Sequence, residues 1–170
     1  MLALAGSGKP CSSGALTYCA DGEKGNAPMI TLYDVDTDDD GALLATSVLP
    51  GDRDIAVLFD PGEPTAAPQL SLTTMSETVI GALAVLTADQ LHRIEAEVAA
   101  ALSATAFTGA DADSAADQRL RDDLRLTGVV VAADGSVALL FEAPTDYPEA
   151  AVYCQLGADL AVEEVSVAAE

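Results

Sequence analysis

Residues 129 to 168 read as four short runs rich in apolar and strand-forming residues, each closed by turn-forming residues. Short apolar runs bounded by turn signals read as strands, and several in succession bury their side chains together as a sheet. The first run, 129–132, meets 137–142 across Ala133-Asp134-Gly135-Ser136, where Asp-Gly tolerates the positive φ of a tight hairpin. Residues 143–149 carry Pro144 and Pro148 and read as a longer connection, and 150–156 reads as a third strand with Cys154 inside it. Gly157-Ala158-Asp159 then turns the chain into a last strand, 160–168. A C-terminal four-strand meander is the scaffold against which the rest has to pack.

Upstream, 29–33 and 42–48 read as two strands of a hairpin, and 54–60 as a strand with Ile55, Val57 and Phe59 on one face. Residues 61–68 form a Pro- and Gly-rich loop, and 69–73 alternates as a further strand. The stretch 76–86 fits neither template cleanly. Ser76 suits a helix cap, Val79, Ile80 and Val85 are strand formers, and Gly81 weakens both readings. Thr87-Ala88-Asp89-Gln90 is a capping box, and Leu91, Ile94, Val98 and Leu102 follow at helical spacing. A shorter helix spans 115–126, with Leu120 and Leu124 inward and Gly128 as its stop. The predicted fold is α+β: an antiparallel sheet ending in the four-strand meander, with one long and one short helix packed on one face. Residues 1–28, rich in Gly and Ser, form an irregular lead-in with a short strand at 15–19, and 29–170 form a single α+β domain.

Twenty-eight acidic residues face seven basic ones, for a formal net charge of −21. A nucleic-acid backbone and an anionic membrane surface are both repelled by such a chain. With no Trp, three Phe and four Tyr, the chain also lacks the aromatic faces on which bases stack. Two readings of the acidity stand: a solvated surface, as in a halophilic adaptation where salt screens self-repulsion, or a face for a basic protein partner or divalent cations. The longest apolar run, 79–86, is far too short to span a bilayer, and the N-terminus lacks the positive region of a secretory signal, so a cytoplasmic location is expected. Cys11, Cys19 and Cys154 make an odd count that is no disulfide framework. Cys11 and Cys19 read as free thiols in a reducing cytoplasm, with pairing as the alternative.

The stretch with most chemistry is Asp34-Val35-Asp36-Thr37-Asp38-Asp39-Asp40-Gly41. Asp36, Asp38, Asp40 and Gly41 fit the first half of a calcium loop, D-x-D-x-D-G, in which carboxylates at alternate positions converge on one cation. Leu43 suits the apolar position that follows, but Ser47 stands where a bidentate carboxylate belongs, and no helix pattern flanks the loop. A calcium site in a hairpin loop is one expectation, and an unliganded acidic turn the other. Gly6-Ser7-Gly8-Lys9 fails as a phosphate loop, because Ala3 replaces its first Gly and Pro10 replaces its Ser or Thr. His92 falls on the polar face of the long helix with no metal-ligand partner in sequence. Arg119, Arg121 and Arg125 are interleaved with Asp117, Asp122 and Asp123, which neutralise them. No spacing singles out a general acid and base, so no catalytic residue is assigned.

The capped helix Leu86-Thr87-Ala88-Asp89-Gln90-Leu91, the segment Leu124-Arg125-Leu126-Thr127-Gly128, Tyr147 before a strand, and a closing strand with Glu163, Glu164 and Glu170 together resemble a bacterial family. It is the family of unknown function numbered two thousand and four, with related small proteins found near toxin–immunity loci. The resemblance covers residues 86–170 and implies an α+β domain that acts by binding. The leading expectation is a non-catalytic acidic interaction protein of the immunity type that binds a basic protein partner. The alternative is a calcium-binding structural or binding module using Asp36, Asp38 and Asp40.

Overall fold

A computed structural model describes residues 16–17, 30–62, 70–106 and 114–169. One sheet of eight strands runs in sequence order: β1 (Leu16–Thr17), β2 (Thr31–Thr37), β3 (Leu43–Leu49), β4 (Arg53–Asp60), β5 (Arg125–Ala132), β6 (Val137–Ala143), β7 (Tyr147–Leu156) and β8 (Val162–Ala169). Three helices lie between β4 and β5: α1 (Leu72–Ala84), α2 (Ala88–Ala106) and α3 (Ser114–Asp123). The expected C-terminal meander is present as β5–β8, and its Asp134-Gly135 turn is a tight one. Ala132 N–H donates to Ser136 O at 2.9 Å, and Gly135 takes φ 85°. The strand expected at 15–19 appears as β1, while Cys11 and Cys19 lie outside the described residues.

The expectation of a wholly antiparallel sheet is corrected at its centre. β4 and β5 are parallel, in a register running from Ala56↔Gly128 to Asp60↔Ala132. Parallel neighbours need a long crossover, and here all three helices supply it. The chain leaves the end of β4, crosses back over the sheet, and starts β5 at the opposite end. Two antiparallel blocks, β1–β4 and β5–β8, are thereby fused edge to edge.

The helix count is corrected as well: there are three helices among the described residues, not one long and one short. Residues 72–73 of the strand expected at 69–73, and 76–84 of the ambiguous stretch after it, belong instead to α1. Ser71 is the N-cap, with φ −70° and ψ 150°, and its Oγ accepts from Thr74 N–H at 3.2 Å. Met75, Ser76, Val79, Ile80 and Leu83 are its buried face, a three-and-four spacing that β-branched residues had obscured. The capping box of α2 forms as expected, with Thr87 N–H donating to Gln90 Oε1 at 2.9 Å and Gln90 N–H to Thr87 Oγ1 at 3.3 Å.

All three helices cover the same face. Leu43, Ala45, Ser47 and Leu49 of β3, Ile55, Val57 and Phe59 of β4, and Val137, Leu139 and Phe141 of β6 are buried beneath them. Leu83 of α1 and Leu91, Ile94, Val98 and Leu102 of α2 complete this core. Ser47, the polar member of the strand row, donates its hydroxyl to Thr31 O at 2.9 Å and so stays hydrogen-bonded. Fully burying each Leu, Ile or Phe contributes about 1.5–3 kcal/mol, so this single layer carries the fold.

Arginines fasten the helix layer to turns at the sheet's ends. Arg53 binds Glu95 on α2, and Arg93 Nη2 on α2 donates to Leu160 O at 2.9 Å in the β7–β8 turn. Asp123, ending α3, takes the β6–β7 turn: Thr145 N–H and Oγ1 both donate to its carboxylate at 2.8 Å, and Asp146 N–H at 3.2 Å.

Candidate docking face

Among the described residues no element covers the second face of the sheet, and that face carries the candidate site. Strand neighbours that pair directly lie on the same face, so the register defines two rows across it. The first row is Tyr33, Thr46, Ala56, Gly128, Leu140, Tyr153 and Ser166. The second, two residues along each strand and three across the β2 bulge, is Asp36, Leu44, Leu58, Val130, Ala138, Gln155 and Glu164. Tyr33, Leu44 and Tyr153 are 42%, 44% and 38% exposed, and Leu58, Val130 and Leu140 are half-buried among their neighbours. This is a continuous apolar band on a chain of net charge −21, and contiguous exposed apolar surface marks interaction sites.

In the first row the smallest side chains fall at the middle, while in the second Leu58 and Val130 fill the centre. Gly128 and Ala56 oppose one another on the central parallel pair, while Tyr33 and Tyr153 stand toward the outer strands. Leu140 leans over Gly128, where an added Cβ would meet Leu140 Cβ at 3.6 Å and Ala56 O at 3.5 Å.

Carboxylates ring the band. Asp34 and Asp36 stand at the β2 end and Glu164 at the β8 end. Asp54 and Glu142 lie along one long margin and Asp60 along the other, all exposed. Asp34 sits at φ 50° in the bulge between Tyr33 and Asp36, and Thr46 Oγ1 reaches its Oδ2 at 3.5 Å, which turns this carboxylate onto the open face. Arg125, opposite Glu142 in register, is the one base at the margin among the described residues.

The Asp-rich turn spans the end of β2 and the loop that follows it. Asp36 belongs to β2, with its Oδ1 accepting from Thr37 N–H at 2.8 Å. Asp38 Oδ1 accepts from Asp40 N–H at 3.0 Å and Ala42 N–H at 2.8 Å, while Gly41 takes φ 85° to close the turn. Among the described residues no three carboxylate, His or Cys groups gather as a metal would require. The structure therefore uses Asp38 to fold the turn and Asp36 to edge the open face.

Other singled-out side chains have structural surroundings. His92 is exposed on α2. Cys154 is buried on β7, where burial and then the charge of Glu97 push its thiol up to about 11, so it stays protonated and unreactive near neutrality. Arg119 of the basic cluster lies 3.9 Å from Asp146. Ser136 N–H holds the Asp134 carboxyl below its usual range, at the tip of the β5–β6 turn.

Sequence reasoning placed no site on the open face. The signal was nonetheless present: Leu43-Leu44, Leu139-Leu140 and Val129-Val130-Val131 put apolar residues in both phases of their strands. A strand covered on one side alone needs apolar groups in one phase only. No family model matches the chain, and no curated protein and no solved structure matches it. Among the described residues no helix is long and apolar enough to cross a membrane.

Proposed function

We propose that this is a non-catalytic interaction protein that captures a basic protein partner on the open face of its sheet. The observation that carries the reading is the exposed apolar band from Tyr33 to Tyr153, enclosed by carboxylates from Asp34 to Glu164. An apolar centre with a charged rim is how protein interfaces divide their work. The centre supplies affinity by releasing water, while the rim steers the partner and rejects those of like charge. With a net charge of −21, a basic surface is attracted and an acidic one repelled. Within that reading the role is of the immunity type, in which fast electrostatic capture neutralises a basic toxin.

A photo-crosslinking amino acid at position 153, compared with one at position 92 on the helix side, tests this in the protein's own cells. The expected outcome is a basic protein crosslinked from position 153 alone, with capture falling steeply as salt rises from about 0.1 to about 0.5 M. Crosslinking from position 92 instead, or capture indifferent to salt, counts against it.

A further inference from the structure

The shape of the band narrows the class of partner, on the premise that the open face is the docking surface. Tyr33 and Tyr153 are separated by five strand-to-strand steps, about 24 Å at about 4.8 Å each. Along the strands the band is two side chains deep, about 7 Å between rows, with exposed Val48 extending it on β3 beside Asp54; Asp54 and Glu142 then close one margin and Asp60 the other. With side-chain reach added, its width matches one α-helix of about 10 Å diameter, and its length matches about 16 helical residues.

The backbone gives an independent reason for a helix. Between β2 and β7 every strand is paired on both sides, so the face offers side chains and no free backbone groups. A segment that covers an apolar band there has to satisfy its own N–H and C=O groups, as a helix does and an extended peptide does not. A second sheet would meet that demand, but its width would lay strands over Asp54, Asp60 and Glu142 and bury their charges at several kcal/mol each. A second copy of this chain would set the same ring of carboxylates against itself.

We infer that the partner presents an amphipathic helix of about 16 residues, with Lys or Arg along both margins of its apolar stripe. The apolar stripe lies over Ala56, Leu58 and Leu140, between the two tyrosines. The basic side chains reach outward to Asp54 and Glu142 on one side and Asp60 on the other.

Three synthetic probes distinguish this from its rivals: an 18-residue Leu/Ala/Lys peptide patterned as an amphipathic helix, its shuffled isomer, and oligolysine. Each is titrated into the full chain while methyl and amide resonances of Leu44, Leu58, Val130, Leu140 and Tyr153 are followed by NMR. The helical peptide is expected to shift these residues and to bind at least tenfold tighter than the shuffled one. Leu44→Lys and Tyr153→Lys, at exposed positions, are expected to weaken it at least tenfold, whereas His92→Lys leaves it unchanged. Equal binding of the helical and shuffled peptides on the band would overturn the helix and leave the docking face standing. Shifts of the same residues on simple concentration, without peptide, would assign the face to a second copy and overturn the proposal. Shifts confined to surfaces away from the band with every probe would remove both the helix and the docking face.

Discussion

Arg53, the first residue of β4, holds Glu95 on α2 through both ends of its guanidinium: Nη1 donates to Oε1, and Nη2 to Oε2 at 3.4 Å. The two residues lie 42 positions apart and their side chains are 26% and 13% exposed, so the pair joins the N-terminal strand block to the helix layer in a partly dry setting. A bidentate, partly buried pair is worth more than an exposed one.

Replacing either partner by Ala is therefore expected to lower stability by about 1–2 kcal/mol, and a double-mutant cycle to return a coupling of about 1 kcal/mol. Urea unfolding of the two single variants and the double variant measures it. A coupling near zero would mean that the contact is incidental to the docking of α2.

Asp123 makes the second long-range tie, and its effect depends on pH. Burial works to raise its pKa, but the hydroxyl and amide of Thr145, the amide of Asp146 and the charge of Arg125 together outweigh it and hold the carboxyl below its ordinary range. A depressed folded pKa means that the ionised form stabilises the fold. That contribution is present above the unfolded value near 3.9 and is lost as pH falls through the folded value. Asp123→Ala is expected to lower stability by about 1–2 kcal/mol at neutral pH through the lost hydrogen bonds to Thr145 and Asp146. The gap between variant and parent should narrow below about pH 4. Denaturant unfolding at neutral and acidic pH reads both.

Calcium tests the Asp-rich turn. Asp38 spends one carboxylate oxygen on the Asp40 and Ala42 amides, and Asp36 spends one on Thr37. Millimolar calcium is therefore expected to raise the melting temperature no more than sodium chloride of equal ionic strength, by screening alone. A saturable calorimetric heat that disappears in Asp38→Asn would show instead that the turn rearranges around an ion.

Much of the architecture was legible because its signals are local. The Thr87–Gln90 capping box, the Asp134-Gly135 hairpin and the alternation of Ile55, Val57 and Phe59 each depend on residues a few positions apart. Helix α1 was not legible. Val79 and Ile80 favour strands on their own, and burial against β2–β5 overrides that preference by more than the few tenths of a kcal/mol that propensity contributes. Nor was the direction of β5. The apolar run 129–131 reads the same whether the strand runs parallel or antiparallel to β4, and only the return path through the helices sets its direction.

The sequence by itself determined the charge, most of the strands and the cap of α2. Those follow from side-chain type, period and turn chemistry within a dozen residues. It also placed apolar residues in both phases of the central strands. The tertiary structure alone decided which phase stays open. The β4–β5 crossover puts all three helices on one face, and the cross-strand register then aligns Tyr33, Leu44, Leu58, Val130, Leu140 and Tyr153 on the other. These residues come from six strands and as many stretches of chain. Their proximity arises from long-range pairing, which no local pattern in the chain encodes.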